Sequence, residues 1–261
     1  MNLEALDLSI LLPAFVAGLL VSSTHVPLGT QVLARGIVFI DLAIAQIAGC
    51  GVLLADHLGF EAEGIAVQVA ALVAALGGAL LLTWTERVWP DVQEAVIGVV
   101  FVLAATGGVL LLASNVHGSE HLRDLLVGQI LWVQPRWLAW TGVIYAGILL
   151  LWFGAGERLG RTGFYVLFAL AVTVSVQLVG VYLVFATLIV PPLATRRMAR
   201  GRLVAAWGLA IAGYAAGLVV STALDLPSGP AIVWALVALA SAWYALAGSR
   251  LAPARRHTGG P

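Results

Sequence analysis

Lysine is absent from this chain: all thirteen basic residues are arginine. Nucleotide hydrolysis at a P-loop needs the lysine of G-x-x-x-x-G-K-[ST] to reach the phosphates. The chain therefore cannot hydrolyse ATP by that chemistry on its own. Cysteine is almost absent as well. A single Cys50 excludes an internal disulfide and a multi-cysteine metal cluster. Charge is scarce, with 10% of residues charged and 61% apolar at a mean hydropathy of +1.03. A soluble domain carries about 25% charged residues, and a globule this apolar could not cover itself with polar surface. A soluble fold is excluded. Thirteen acidic residues balance the arginines, so net charge points to no partner and nothing favours nucleic acid. A cationic leader is missing too: MNLEALDL carries Glu4 and Asp7 where a signal peptide would be basic. The first apolar stretch is expected to be a retained span.

What is present is a succession of apolar runs near the length, about 20 residues, that a helix needs to cross hydrocarbon. They fall at 10–33, 37–55, 64–84, 95–114, 137–153, 163–195, 203–224 and 230–248. Most are continuously apolar, without the alternation of an outer-membrane barrel. Trp84, Trp89, Trp132 and Trp137 stand at run ends, as interfacial belts require. The pairs Gly77–Gly78 and Gly107–Gly108 permit close helix approach. The fold class predicted is all-α: a polytopic membrane bundle of about eight or nine segments. One transmembrane domain covers 1–251, and residues 252–261 form a short disordered cytoplasmic tail.

The run at 163–195 decides the topology. Its 28 uncharged residues from Gly163 to Val190 would make about 42 Å of helix, against a core of about 30 Å. It can tilt as one span, or break near Gly180 into a full span and a short return leg that stops at Pro191–Pro192, where backbone hydrogen bonding is interrupted. Arginine accumulates on the cytoplasmic side. With the break, only Arg123 and Arg136 lie outside and the other eleven arginines inside. Without it, Arg35, Arg87, Arg158 and Arg161 move out. The broken version is the one predicted, with the N-terminus outside. Its outer face then carries Asp56, His57, Glu61, Glu63, His117, Glu120, His121 and Asp124. Such a field concentrates cations, although solvated outer loops short of arginine would look the same.

Asp41 is a lone carboxylate in an apolar span, where a charge costs about 2.5–3.5 kcal/mol or more at the centre. Such a residue faces a cavity or partner; the bland alternative is a carboxylate near the inner helix end, bonded to backbone or to Arg35. Gln46 and Cys50 share a helix face, but a cysteine is commonly a small core residue. His117, Glu120, His121 and Asp124 form H-x-x-E-H-x-x-D, and histidines at i, i+4 can clamp a divalent ion. Gly118 beside them favours a solvated segment. His25, next to Val26–Pro27, reads as a satisfied core histidine. His57 is loop-borne and His257 lies in the tail. No H-E-x-x-H, paired intramembrane carboxylates or nucleophile–base pair suggests an enzyme.

Four collinear blocks resemble the permease subunits of ATP-binding-cassette importers for zinc, manganese and iron, the ABC-3 family. They are PLGTQVLARGIVFIDLAIAQIAG (27–49), EAVIGVVFVLAATGGVLLLASNVHGSEHLRDLLVGQILWV (94–133), LVGVYLVFATLIVPPLATRRMARGRL (178–203) and DLPSGPAIV (225–233). The resemblance implies a non-enzymatic subunit that binds no cofactor, forms the pathway for a divalent metal as a homodimer, and receives it from an extracytoplasmic binding protein. ATP hydrolysis falls to a separate cytoplasmic ATPase. Zinc is the leading cargo, with manganese or iron next. Asp41 carries over to the aspartate of the family's D-x-x-x-H, but Ala45 stands where the histidine would be. Gln46 is one residue further on, some 140° round the helix from Asp41 at about 100° per residue. A carboxamide oxygen is a poor ligand for zinc. Asp41, Gln46, His117, Glu120 and His121 are the pathway candidates. The family docks its ATPase on a longer cytoplasmic segment between spans five and six, where only FGAGERLGRTG (153–163) remains. Glu157, Arg158 and Arg161 there, and Arg196 and Arg197 in the next basic turn, are the coupling candidates. A gradient-driven secondary metal carrier and a cassette permease for a metal chelate are the alternatives.

Overall fold

The computed structural model describes residues 8–60, 64–112 and 130–251, and among these there are helices and no strand. The outer-loop cluster His117, Glu120, His121 and Asp124, and the tail 252–261, lie outside the described residues. The helices are α1 (Leu8–Arg35), α2 (Ile40–His57), α3 (Ile65–Val88), α4 (Gln93–Leu112), α5 (Pro135–Val179), α6 (Val181–Thr195), α7 (Arg202–Leu224) and α8 (Ser228–Leu251). Short 3₁₀ turns at Pro90–Val92 and Ile130–Trp132 lead into α4 and α5. The limbs Pro135–Ala155 and Arg158–Val179 of α5 count separately, giving eight helices long and apolar enough to cross a membrane, plus the shorter α6. The chain is a polytopic helical bundle.

Helix α5 is a hairpin. Gly160 has φ 59° and ψ −161°, a region open in practice to glycine alone. Tyr145 meets Ser175 and the ring of Trp152 lies 6.1 Å from that of Phe164. Both pairs are nearly symmetric in number about Gly160, so the limbs run antiparallel. The segment 153–163, expected as a loop, is therefore two helix ends meeting at one glycine. No longer connection is needed, because Trp152 and Phe164 close the apex with apolar contact.

The same kind of reading orients α6. Along α1, Arg35 stacks on Phe164 and His25 meets Ser175, so the second limb of α5 is antiparallel to α1. Ser22 meets Trp207 and Gly18 abuts Tyr214, so α7 is antiparallel to α1 too. The chain between them must cross back, and α6 does so. Its turn is Gly180, at φ 83° and ψ 161°, which is buried among its neighbours. The backbone there is satisfied by Gly180 N–H donating to Val176 and Val184 N–H donating to Gly180, at 2.9 and 3.2 Å.

The return leg does not stop at the proline pair. Helix α6 runs through Pro191 and Pro192 to Thr195. Two prolines remove the N–H groups that would bond Thr187 and Leu188, and membrane helices tolerate this where neighbours cover the freed carbonyls. Here the Leu188 carbonyl packs on Gly29 of α1, so closely that a Cβ at position 29 would collide with it. The Thr195 hydroxyl donates to the Pro191 carbonyl at 3.1 Å, tightening the last turn.

The second limb of α5 and α6 are largely buried, and α1 packs on both. Helices α2, α3 and α4 form a second group, with α2 contacting both α3 and α4. Of the glycine pairs expected to permit close approach, Gly78 and Gly108 face α2 side chains while Gly77 and Gly107 face open space. Exposed Trp84, Trp89, Trp132 and Trp137 stand at helix ends.

Arg35, Arg87, Arg161, Arg196 and Arg200 fall at one end of this bundle, which the positive-inside rule assigns to the cytoplasm. A cysteine at Arg200, in a Cys50→Ala background, is expected to react with an impermeant maleimide in inverted vesicles and not in intact cells. Gly201 is a poorer site for the label because its φ of 67° suits glycine. Labelling of Arg200→Cys from outside would reverse the orientation.

Candidate functional site

Asp41 is the second residue of α2, five positions after the Gly36 turn that ends α1. It is fully buried, and neither carboxylate oxygen has a hydrogen-bond partner. Its place in the first turn sets it against the positive end of the α2 dipole. That gain is of order 1 kcal/mol, well short of the several kcal/mol needed to bury an ion. Arg35 does not complete the difference. Its Nη1 lies 3.9 Å from Glu86 Oε1, and its guanidinium sits 4.4 Å above the Phe164 ring. Asp41 is thus bonded neither to backbone nor to Arg35. Such a carboxylate is chemically suited to take a cation from a pathway.

The other sequence-predicted residues do not converge on it. Ala45, one turn along α2, is buried, whereas Gln46 is half-buried on another face. The Cys50 thiol, further along, donates to the Ala104 carbonyl of α4 at 3.0 Å. His57 is exposed at the end of α2. Among the described residues no three of His, Cys, Asp and Glu lie close enough to hold a metal ion. Asp41 therefore stands without a second ionisable ligand cluster in this arrangement.

His25 is buried within hydroxyl groups. One proton arrangement satisfies every member: Nδ1–H donates to the Val21 carbonyl at 3.0 Å, and Nε2 accepts from the Ser175 hydroxyl at 3.2 Å. Ser175 in turn accepts from the Tyr145 hydroxyl, and Thr24 donates to Val21 at 3.2 Å. The network ties α1 to both limbs of α5. A second buried hydroxyl pair, Thr187 and Tyr214 at 2.9 Å, ties α6 to α7. In a medium without water, each unsatisfied polar group costs several kcal/mol, so these bonds fix which faces meet.

At the cytoplasmic end, two acids unremarked in the sequence, Glu94 and Glu86, hold connections together, and a third, Asp91, lies beside them in sequence. Glu94 of α4 accepts from the Phe39 N–H at 3.2 Å, closing the N-terminus of α2. Glu86 of α3 lies between Arg35 and Arg161, with Oε1 3.9 Å from each. Asp91 opens the 3₁₀ turn between α3 and α4. Their sequence signal is an acid set among arginines on an otherwise basic face, beside apolar runs. Gln93 joins them, donating to the Leu82 carbonyl and accepting from the Thr85 hydroxyl at 3.0 and 3.1 Å.

The coupling candidates divide by what they touch. Glu157 falls in the helical backbone at the end of the first limb of α5, and Arg158 beside it is exposed. Arg161 pairs with Glu86. Arg196 and Arg197 are exposed after α6, with Arg197 4.9 Å from the Tyr244 ring of α8.

A family model described as the ABC 3 transport family matches residues 7–159 and 157–245. The probable metal transport system membrane protein of Thermotoga maritima is 27% identical over 256 residues, covering 88% of this chain and 87% of that protein. The high-affinity zinc uptake system membrane protein ZnuB of Haemophilus influenzae is 24% identical over 251 residues, covering 86% of this chain and 92% of its own length. PsaBC from Streptococcus pneumoniae, solved in complex with Fab, superimposes with a TM-score of 0.74 at 21% identity, over 94% of this chain and 95% of the other. Family model and fold agree along nearly the whole chain: it belongs to the ABC 3 transport family, as a multi-pass membrane component in the bacterial cell membrane.

Proposed function

We propose that this chain is the permease subunit of an ATP-binding-cassette importer for a divalent transition metal, zinc foremost, with manganese or iron as the next candidates. The observation that carries the reading is Asp41, a buried carboxylate with both oxygens free of hydrogen bonds. Oxygen, nitrogen and sulfur donors all bind zinc, so a lone carboxylate selects weakly. Selectivity then rests with an extracytoplasmic binding protein that delivers the ion, helped by His117, Glu120 and His121. The names of the Thermotoga and Haemophilus relatives support a metal cargo. The chain works as a homodimer in the inner membrane, and two copies of a separate ATPase supply the energy that a lysine-free chain cannot draw from a P-loop.

The test is co-purification with a candidate cassette ATPase, followed by metal uptake in reconstituted vesicles. ATP-dependent entry of free Zn²⁺ supports the reading. Entry of a chelate alone redirects the cargo, and failure of any ATPase to bind removes the importer.

The same preparation tests where the ATPase presses. Replacing Glu157 and Arg158 together with Ala is expected to lower ATPase stimulation more than replacing Arg196 and Arg197. Arg158 is exposed at the apex of the α5 hairpin, whereas Arg197 is already engaged with Tyr244. The expected loss is about two- to fivefold, as for exposed ion pairs worth about 0.5–1 kcal/mol. Equal stimulation in both variants would show that coupling does not discriminate between the two turns.

A further inference from the structure

We propose that Glu86 is the residue that transmits movement of the α5 hairpin apex to the α1–α2 connection bearing Asp41. This rests on the importer reading above, because it assigns a role in coupling to the ATPase. Glu86 stands at the end of α3, and a single oxygen of it faces two guanidiniums. Arg161 Nε approaches from the apex, one residue after the Gly160 reversal, and Arg35 Nη1 from the last turn of α1, each at 3.9 Å. Arg87, next to Glu86, donates to Thr162 of the same apex at 3.0 Å. Arg35 also stacks on Phe164, three residues after Arg161. From Arg35 the chain reaches Asp41 within six residues, through the Gly36 turn.

The geometry of the triad is that of a carboxylate shared between two arginines, with the buried Tyr165 side chain beside it. Charge-assisted N–H···O contacts close to about 2.7–2.9 Å, so both ion pairs are about 1 Å long of a hydrogen bond. The second carboxylate oxygen of Glu86 and Nη1 of Arg35 are buried without hydrogen-bond partners. A displacement of about 1 Å is therefore enough to close one pair while opening the other, by the same hydrogen-bond geometry. That is the kind of discrete two-position element through which coupling travels. Screening separates the two arms. The side chains of Glu86 and Arg35 are 15% and 21% exposed, whereas Arg161 is 55% exposed. The outer arm can be reached by a cytoplasmic partner, and the inner arm is sheltered beside α1. A push on the apex that draws Arg161 away frees Glu86 to close on Arg35, and the end of α1 moves with it.

The experiment uses the chain co-purified with its ATPase in vesicles, reading Zn²⁺ transported per ATP hydrolysed. Glu86→Gln and Arg161→Gln are each expected to retain bound ATPase and to lower this ratio about fivefold or more, the lower end of usual coupling energies. Arg161→Lys, which keeps a positive charge facing Glu86 and leaves Arg35 untouched, is expected to hold more of the ratio than Arg161→Gln, whereas loss of packing alone would affect both variants alike. A wild-type ratio in Glu86→Gln overturns the proposal, as does an Arg161→Lys ratio no better than that of Arg161→Gln. Should Glu86→Gln fail to fold, Arg161→Gln decides alone, since its exposed side chain can be removed at little structural cost, and a wild-type ratio there is again fatal. Failure of the wild-type chain to bind ATPase overturns the importer reading itself, whereas normal wild-type coupling with unaltered variants overturns this inference alone.

Discussion

Asp41→Asn is expected to abolish metal uptake while leaving the protein folded and no less stable. Asparagine has the same shape, so the packing around the first turn of α2 is unchanged. It removes a buried carboxylate that has no hydrogen-bonded partner, a group whose charge is disfavoured by several kcal/mol in such a setting. The melting temperature in detergent is expected to hold or rise. Transport is expected to be lost, because a carboxamide oxygen carries no net charge to offset the dehydration of a divalent ion. His117→Ala with His121→Ala should lower uptake only in part, since those residues fit a hand-over role rather than an obligatory site. Vesicle uptake measured beside thermal melting separates the two quantities. Wild-type uptake by a stably expressed Asp41→Asn protein would remove Asp41 from the pathway.

Gly29→Ala is expected to produce the largest loss of stability among single small substitutions. At this point α1 and α6 touch backbone to backbone. The new Cβ would fall on the Leu188 carbonyl oxygen, with Pro192 Cγ 3.1 Å away. Neither obstacle can rotate aside, one being main chain and the other a ring. Overpacking of a tight core costs about 1–3 kcal/mol, occasionally more, and here the strain sits where two prolines have already removed helix hydrogen bonds. The expected outcome is a clearly lowered melting temperature and poor recovery of folded protein. Gly77→Ala is the control: its Cβ meets nothing within 4 Å, and alanine favours a helix interior by up to about 1 kcal/mol. Equal stability of Gly29→Ala and Gly77→Ala would show that α1 and α6 do not meet at position 29.

The bundle was legible in the sequence because its signal is composition along one dimension. A helix crossing hydrocarbon must be apolar for about 20 residues, so runs such as 203–224 and 230–248 mark α7 and α8 to within about three residues at either end. The break at Gly180 was legible for a related reason: too much apolar length for one span, and an arginine distribution that favours a return. Asp41 was equally visible, since a carboxylate in such a run is costly wherever the helix packs.

The return leg of α6 shows where that kind of reading stops. A proline pair removes two donors, and the local rule ends the helix there. Tertiary packing overrides it, because α1 brings Gly29 against the freed Leu188 carbonyl. The hairpin at Gly160 is similar. Eleven residues read as a connection, but the contacts of Trp152 with Phe164 and of Tyr145 with Ser175 let two helices meet at one glycine. Helical phase placed Gln46 off the Asp41 face, yet it could not say that Arg35 turns away toward Glu86 and Phe164. Glu86 itself went unremarked because its meaning lies wholly in its neighbours, 51 positions back at Arg35 and 75 ahead at Arg161. Hydrophobicity accumulates along the chain and can be summed from the sequence. Which charge meets which depends on distances that exist once the helices have packed, and those the tertiary structure alone decided.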